Sequence, residues 1–171
     1  MDFLKLVRAR YSVRQYQNRP VEPEKVEQLL EAAQAAPHRR QLPAGAPAGG
    51  GDAGRAQTAG RSGGALRRAP GGGGVRRPEP AWKRPFDGKQ TTDIDASILT
   101  DHMMLAASAL GLGSVWICYF QPEAVKAALG LPEHLEPVNI LAVGYADGAP
   151  ASPERWRTER IPLDELVLAR A

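Results

Sequence analysis

Residues 38–78 constrain this chain more than any other feature, because they offer almost nothing to bury. The 41 residues contain twelve glycines, eight alanines, eight arginines and four prolines, and their larger aliphatic side chains are limited to Leu42, Leu66 and Val75. Glycine loses more backbone entropy on ordering than any other residue, and the tract has too little apolar area to offset that loss. The composition therefore predicts disorder over 38–78, and a core has to come from the residues on either side. A structureless insert of this length within one domain is also unusual. The tract holds the chain's positive charge as well: it carries +7 of a chain total of +3, so the remainder stands at −4. The basic pI near 9.2 thus says little about what the folded part binds.

The flanks show regular periodicity. Phe3, Leu6 and Val7 share one face of a helix over residues 2–9, and Arg10 to Tyr16 then alternate as an extended segment. Pro23 at a first-turn position, with Val26, Leu29, Leu30 and Ala33 at helical spacing, predicts a second helix ending before Pro37. From Asp93 to about Leu110, Ile94, Ile98, Leu99, Met103, Leu105, Ala106 and Ala109 cover much of a helix circumference, as in a helix buried between other elements. Gly111 and Gly113 end it. Ser114 to Phe120 reads as a buried strand, Pro122 opens a short helix with Val125 and Leu129, and Val138 to Tyr145 reads as a further strand. A polar tail with Arg155, Arg157 and Arg160 is expected to wrap the surface. We read 1–171 as a single domain interrupted by the 38–78 tract.

A lone cysteine, Cys118, excludes an intrachain disulfide framework and a multi-thiolate zinc site, and fits a reducing compartment. No apolar run approaches membrane-spanning length, and the first residues lack the pattern of a signal peptide, so a cytoplasmic location is expected.

Several motifs then occur in a fixed order: Arg10-Tyr11-Ser12-Val13-Arg14; the helix ending in Ala35-Ala36-Pro37; Trp82-Lys83-Arg84-Pro85 and Asp87-Gly88-Lys89; Asp101 to Ala107; and Gly111-Leu112-Gly113-Ser114-Val115-Trp116-Ile117. Together they cover about three quarters of the chain and resemble the nitroreductase family. The resemblance implies an α+β, nitroreductase-like fold in which a mixed, mainly antiparallel sheet is flanked by helices. It also implies a homodimer with FMN at the subunit interface. The implied reaction is ping-pong transfer of electrons from NAD(P)H through the flavin to a small-molecule acceptor such as a nitroaromatic or quinone.

The residue types suit that ligand. Arg10 can make paired, charge-assisted bonds to a phosphate, Ser12 can bond phosphate or ribityl oxygens, and Arg14 suits the flavin edge that becomes negative on reduction. Alternate positions of an extended segment point the same way, so the three can face one ligand. Spacing alone favours pairing of Arg10 and Arg14 with surface carboxylates, and it is the rest of the family pattern that turns the reading toward the ligand. The resemblance further places the backbone of Trp116, Ile117 and Cys118, continuing to Tyr119, near the flavin face, and makes Arg160, then Arg157, candidates for the last phosphate contacts. No catalytic side chain and no metal is expected, since the flavin carries the chemistry. Cys118 reads as an inert residue of an apolar strand, and His102 as a helix residue without an acid–base role. Gly111-x-Gly113 follows a helix and precedes a strand, the wrong order for a dinucleotide fingerprint. A second reading is a degenerate member that binds flavin or a partner without turnover, using 38–78 as a basic arm. Nucleic acid is a poor fit for that arm, which has no aromatic residue for base stacking.

After Pro37 the family has a stretch containing Asn-x-Gln-Pro that contacts the flavin, followed by an apolar strand; this chain has His38 to Ala44 instead. One permitted set of codons for His38–Ala44, read one base on, gives Thr-Ala-Ala-Asn-Cys-Gln-Pro. The same offset turns Gly71–Pro78 into Val-Val-Val-Ala-Cys-Ala-Asp-Pro, a buried-strand pattern. Our hypothesis is a one-base insertion near Pro37 with a compensating deletion near Pro78. Sequencing the coding DNA decides it: codons incompatible with those two readings end the idea.

Overall fold

A computed structural model describes residues 2–37, 72–76, 84–131, 133, 135–167 and 169. Helix α1 (Phe3–Ala9) starts where the Asp2 carboxylate accepts the Leu4 amide. Helix α2 (Pro23–Ala35) starts on its proline, whose missing N–H costs nothing at the first turn. The long helix α3 (Thr92–Ala109) is followed by β2 (Gly113–Ile117), α4 (Pro122–Leu129) and β3 (Glu136–Gly144). Helix α4 ends on Gly130 at φ 62°, a left-handed cap that other residues adopt only with strain. A single 3-10 turn (Arg155–Arg157) and a one-turn helix α5 (Leu163–Leu166) close the described part.

Between α2 and α3 lies β1 (Gly72–Arg76), inside the tract whose composition predicts disorder. This corrects that expectation for five residues. The physical reason is that ladder hydrogen bonds need only backbone, and β3 presents an edge on which a glycine-rich segment can pair. Gly72 pairs with Leu141, Gly73 with Ile140 and Gly74 with Asn139, antiparallel, with a register shift before Val75. The segment that gives a buried-strand pattern in the offset reading is the one occupying a strand position. Residues 38–71 and 77–78 of the tract, with Trp82 and Lys83, lie outside the described residues.

The sheet order is β1-β3-β2 and both ladders are antiparallel; an isolated parallel bridge joins Ser12 to Ser114. The architecture is α+β, as expected. Helix α3 packs against all three strands and against α2. Its buried side chains Met103, Met104 and Ala107 meet Leu141 and Val143 of β3, Leu112 before β2, and Leu29 and Val21 on the α2 side. Of α3 only Asp93, Ile94 and Ala109 are exposed, five residues are buried and the others are partly covered, which fits its all-round apolar pattern. One polar contact crosses this core: the Thr100 hydroxyl lies 2.8 Å from both the Ala96 carbonyl and Asn139 Oδ1, tying α3 to β3. Among the described residues no helix is long and apolar enough to cross a membrane.

The start of α2 is pinned to the end of β3 through Tyr145. Its hydroxyl donates to Glu22 Oε2 at 2.5 Å and accepts from Lys25 Nζ at 2.8 Å, and the Arg19 guanidinium lies 3.9 Å from its ring centre. Glu22 also accepts from Arg19 at 2.7 Å. The Tyr145 hydroxyl, then Glu22's own amide and Arg19, hold the Glu22 carboxyl at about 2, below its ordinary 4.5. A carboxylate depressed in the folded state stabilises it above the unfolded value, and that contribution disappears as the pH falls through the folded value. Tyr145→Phe is therefore expected to lower the melting temperature at pH 7, with a deficit that narrows between about pH 4.5 and 2; thermal melts across that range check it.

Candidate functional site

The extended segment after α1 lies across the ends of β2 and β3. Val13 N–H donates to the Ser114 carbonyl at 2.9 Å, Gln17 N–H to Tyr145 O at 2.9 Å and Asp147 N–H to Gln15 O at 2.9 Å. What lets it lie so close is a pair of facing glycines. Gly113 of β2 and Gly144 of β3 are direct partners across the ladder. A Cβ on Gly113 would sit 2.6 Å from Val13 Cγ2, and one on Gly144 would sit 2.9 Å from Tyr16 Cδ1. Two missing side chains thus open a trough that Val13 and Tyr16 fill. Tyr16 is fixed there by its hydroxyl, 2.8 Å from Val13 O and 3.3 Å from Ala142 O, and burial pushes its phenol well above the ordinary value.

Strand alternation then sets the other side chains. Val13 is buried, Ser12 and Arg14 are exposed, and Arg10 is half-buried where α1 ends. Arg10 still donates its amide to Leu6 O at 3.0 Å, but its backbone (φ −59°, ψ 134°) is already extended. The Arg14 guanidinium reaches back to the Ser12 carbonyl at 3.4 Å.

The C-terminal arginines divide. Arg157 pairs with Glu154 at 2.6 Å and stacks near Trp156, whose ring centre also lies 5.3 Å from the Arg8 guanidinium. Arg160 is close enough to Arg10 to act on its ionisation. The Arg10 guanidinium is held below its ordinary pKa by burial first, then by Arg155 and Arg160, against Asp101. Among the described residues none of Arg10, Arg155 and Arg160 forms an ion pair with a carboxylate. The locus is therefore short of negative charge.

Of the sequence candidates, then, Arg160 acts on Arg10 through its charge, Ser12 and Arg14 are both exposed on the seated segment, and Arg157 turns to Glu154. Trp116 and Ile117 belong to β2, with Trp116 leaning on the core. The Cys118 expectation is corrected. Strand β2 ends at Ile117, opposite Ile140, where the chain leaves the sheet to reach Pro122 of α4. Cys118 is exposed and Tyr119 fully so, and neither is a core residue. His102 Nδ1 donates to the Ile98 carbonyl at 2.9 Å within its own helix. Sequence reasoning missed Arg155 and Gly144. The first was visible as one of three tail arginines; nothing local marks the second, whose role exists only opposite Gly113.

A model of the nitroreductase family matches residues 7–44 and 56–145. The chain belongs to the nitroreductase family. The gap between the two matched segments, residues 45–55, falls inside the Gly-rich tract. Among solved structures, a nitroreductase family protein from Clostridium difficile 630 is 41% identical, with a TM-score of 0.75 over 100% of this chain and 99% of that one. A nitroreductase with bound FMN from Bacteroides fragilis shares the fold at 21% identity, with a TM-score of 0.64 over 99% of this chain and 100% of that one. A Thermus thermophilus NADH dehydrogenase is 42% identical over 73 residues, which are 43% of this chain and 33% of that protein, so the match spans about a third of that relative's length.

In this nitroreductase-family chain the trough makes a direct prediction. Gly113→Ala forces Val13 out of its seat and is expected to cost about 1–3 kcal/mol of stability, measured by denaturant unfolding. An Ala variant as stable as the parent would show that the glycine pair does not hold the segment.

Proposed function

We propose that the chain is a cytoplasmic, FMN-dependent oxidoreductase that passes electrons from NAD(P)H to a nitroaromatic, quinone or similar small acceptor, the two substrates using the site in alternation. The observation that carries this reading is the cationic locus of Arg10 and Arg160, without a carboxylate partner among the described residues and beside the seated segment. A phosphate dianion would supply the missing negative charge. The membership of the nitroreductase family and the FMN named for the Bacteroides fragilis structure point to the same ligand.

The flavin, when bound, supplies the two-electron chemistry between nicotinamide and acceptor. The chain's residues would bind and orient it. Arg10 and Arg160 hold the phosphate, Ser12 bonds phosphate or ribityl oxygens, and Arg14 offers positive charge to the edge that becomes negative on reduction. Trp116, Ile117 and Cys118 run on from the Ser114 pairing toward the ring, contributing backbone. Arg157 is the weaker phosphate candidate because Glu154 already engages it. A homodimer is part of the proposal: α1 has no buried residue, and Phe3 and Leu4 are each about 60% exposed, as are Leu163 and Leu166 of α5.

One observation favours binding without turnover as a second reading. His38–Ala44 lacks the Asn-x-Gln-Pro pattern, and β1 brings glycines where an apolar strand is expected, so flavin contacts and sheet packing are both reduced. The visible spectrum of the purified protein separates these readings when joined to an assay of NAD(P)H oxidation. Flavin bands with oxidation support the enzyme. Flavin bands without oxidation, tested over several acceptors, support the second reading, and a protein that stays colourless after exposure to FMN refutes the enzyme and leaves only partner binding of the second reading.

A further inference from the structure

Arg155 makes three contacts to backbone carbonyls. Nη1 lies 2.9 Å from Ser152 O and 3.3 Å from Arg8 O, and Nη2 donates to Arg10 O, from 145 residues along the chain. Arg8 and Arg10 are at the C-terminal end of α1, where helix carbonyls run out of intrahelical partners and the helix dipole is negative. A forked guanidinium with several fixed donors meets that need in a way an ammonium does not. Arg10 is also the hinge where α1 gives way to the extended segment on the trough. Holding its carbonyl therefore sets the direction in which its side chain leaves. The adjacent Trp156 reinforces the attachment through its ring contact with Arg8. Since Arg155 spends its donors on carbonyls, it is poorly placed to contact a phosphate itself.

We propose that Arg155 is a positioning residue: it caps α1 from the C-terminal segment and thereby aims Arg10 at the phosphate of the flavin mononucleotide. This rests on the FMN reading above. It predicts that Arg155 affects the phosphate end of the ligand and acts through Arg10. It also separates shape from charge, because Lys at 155 keeps the charge and loses the fork.

The test is binding of FMN and of riboflavin, which lacks the phosphate, followed by flavin fluorescence. The proteins compared are the parent, Arg155→Gln, Arg155→Lys, Arg10→Gln and the Arg10→Gln/Arg155→Gln double variant. The expected result is an FMN affinity lower by about tenfold or more in both Arg155 variants, with riboflavin affinity nearly unchanged. In the Arg10→Gln background the Arg155 change should add almost nothing. Equal losses for FMN and riboflavin, full rescue by Lys, or an effect additive with Arg10→Gln would each overturn the proposal. Hydrogen exchange of residues 6–14 without flavin tests the clamp alone: faster exchange in Arg155→Gln supports it, and unchanged exchange overturns it. A parent protein with no preference for FMN over riboflavin overturns the FMN reading and the aiming of Arg10 with it, while the exchange result still shows whether the clamp exists.

Discussion

The candidate site depends on two side chains that are absent. Gly113 and Gly144 face each other across the β2–β3 ladder, and together they let Val13 and Tyr16 sink onto the sheet. Once Val13 is buried, the two-residue period of an extended chain puts Ser12 and Arg14 on the opposite side. The hydrogen bonds from Val13 to Ser114 and from Gln17 to Tyr145 fix the register. A segment that looks like a loop in the chain order thus behaves as an added strand, which gives the polar side chains more precision than a free loop provides.

Charge is arranged around that seat in two tiers. At the far end of the segment, Arg19, Glu22, Lys25 and Tyr145 neutralise one another in a compact group that fastens α2 to β3. At the near end, Arg155 holds the Arg10 carbonyl, and burial, then the charges of Arg155 and Arg160, keep the Arg10 guanidinium below its ordinary pKa against the opposing pull of Asp101. The first group is satisfied and structural; the second is unbalanced. Arg155 meets backbone carbonyls, but bringing like charges to bear on one guanidinium costs free energy, and an anion there would offset it.

Most of the scaffold was legible in the sequence. The all-round apolar pattern of α3, the proline starts of α2 and α4, and the apolar run of β3 each have a local cause, and each element formed within a few residues of its expected bounds. The misses share a different origin. Strand β1 has almost no β-forming side chains; it exists because β3 offers backbone partners. The end of β2 at Ile117, which exposes Cys118, is set by where the chain must turn toward α4. For the candidate site, the exposure of Ser12 and Arg14 on either side of buried Val13 was readable because that spacing is local. Gly144 and Arg155 were not, since one matters through its cross-strand partner and the other through carbonyls 145 residues away.

In the function proposed for this chain, the seated segment and Arg160 form the phosphate end of a flavin site. A crystal structure of the protein grown with FMN tests it most directly. The phosphate is expected within hydrogen-bonding distance of Arg10 and Arg160, with Ser12 and Arg14 along the same ligand and Val13 still in its trough. FMN bound with its phosphate elsewhere, or Arg10 drawn to Asp101 with the ligand on another surface, would contradict it.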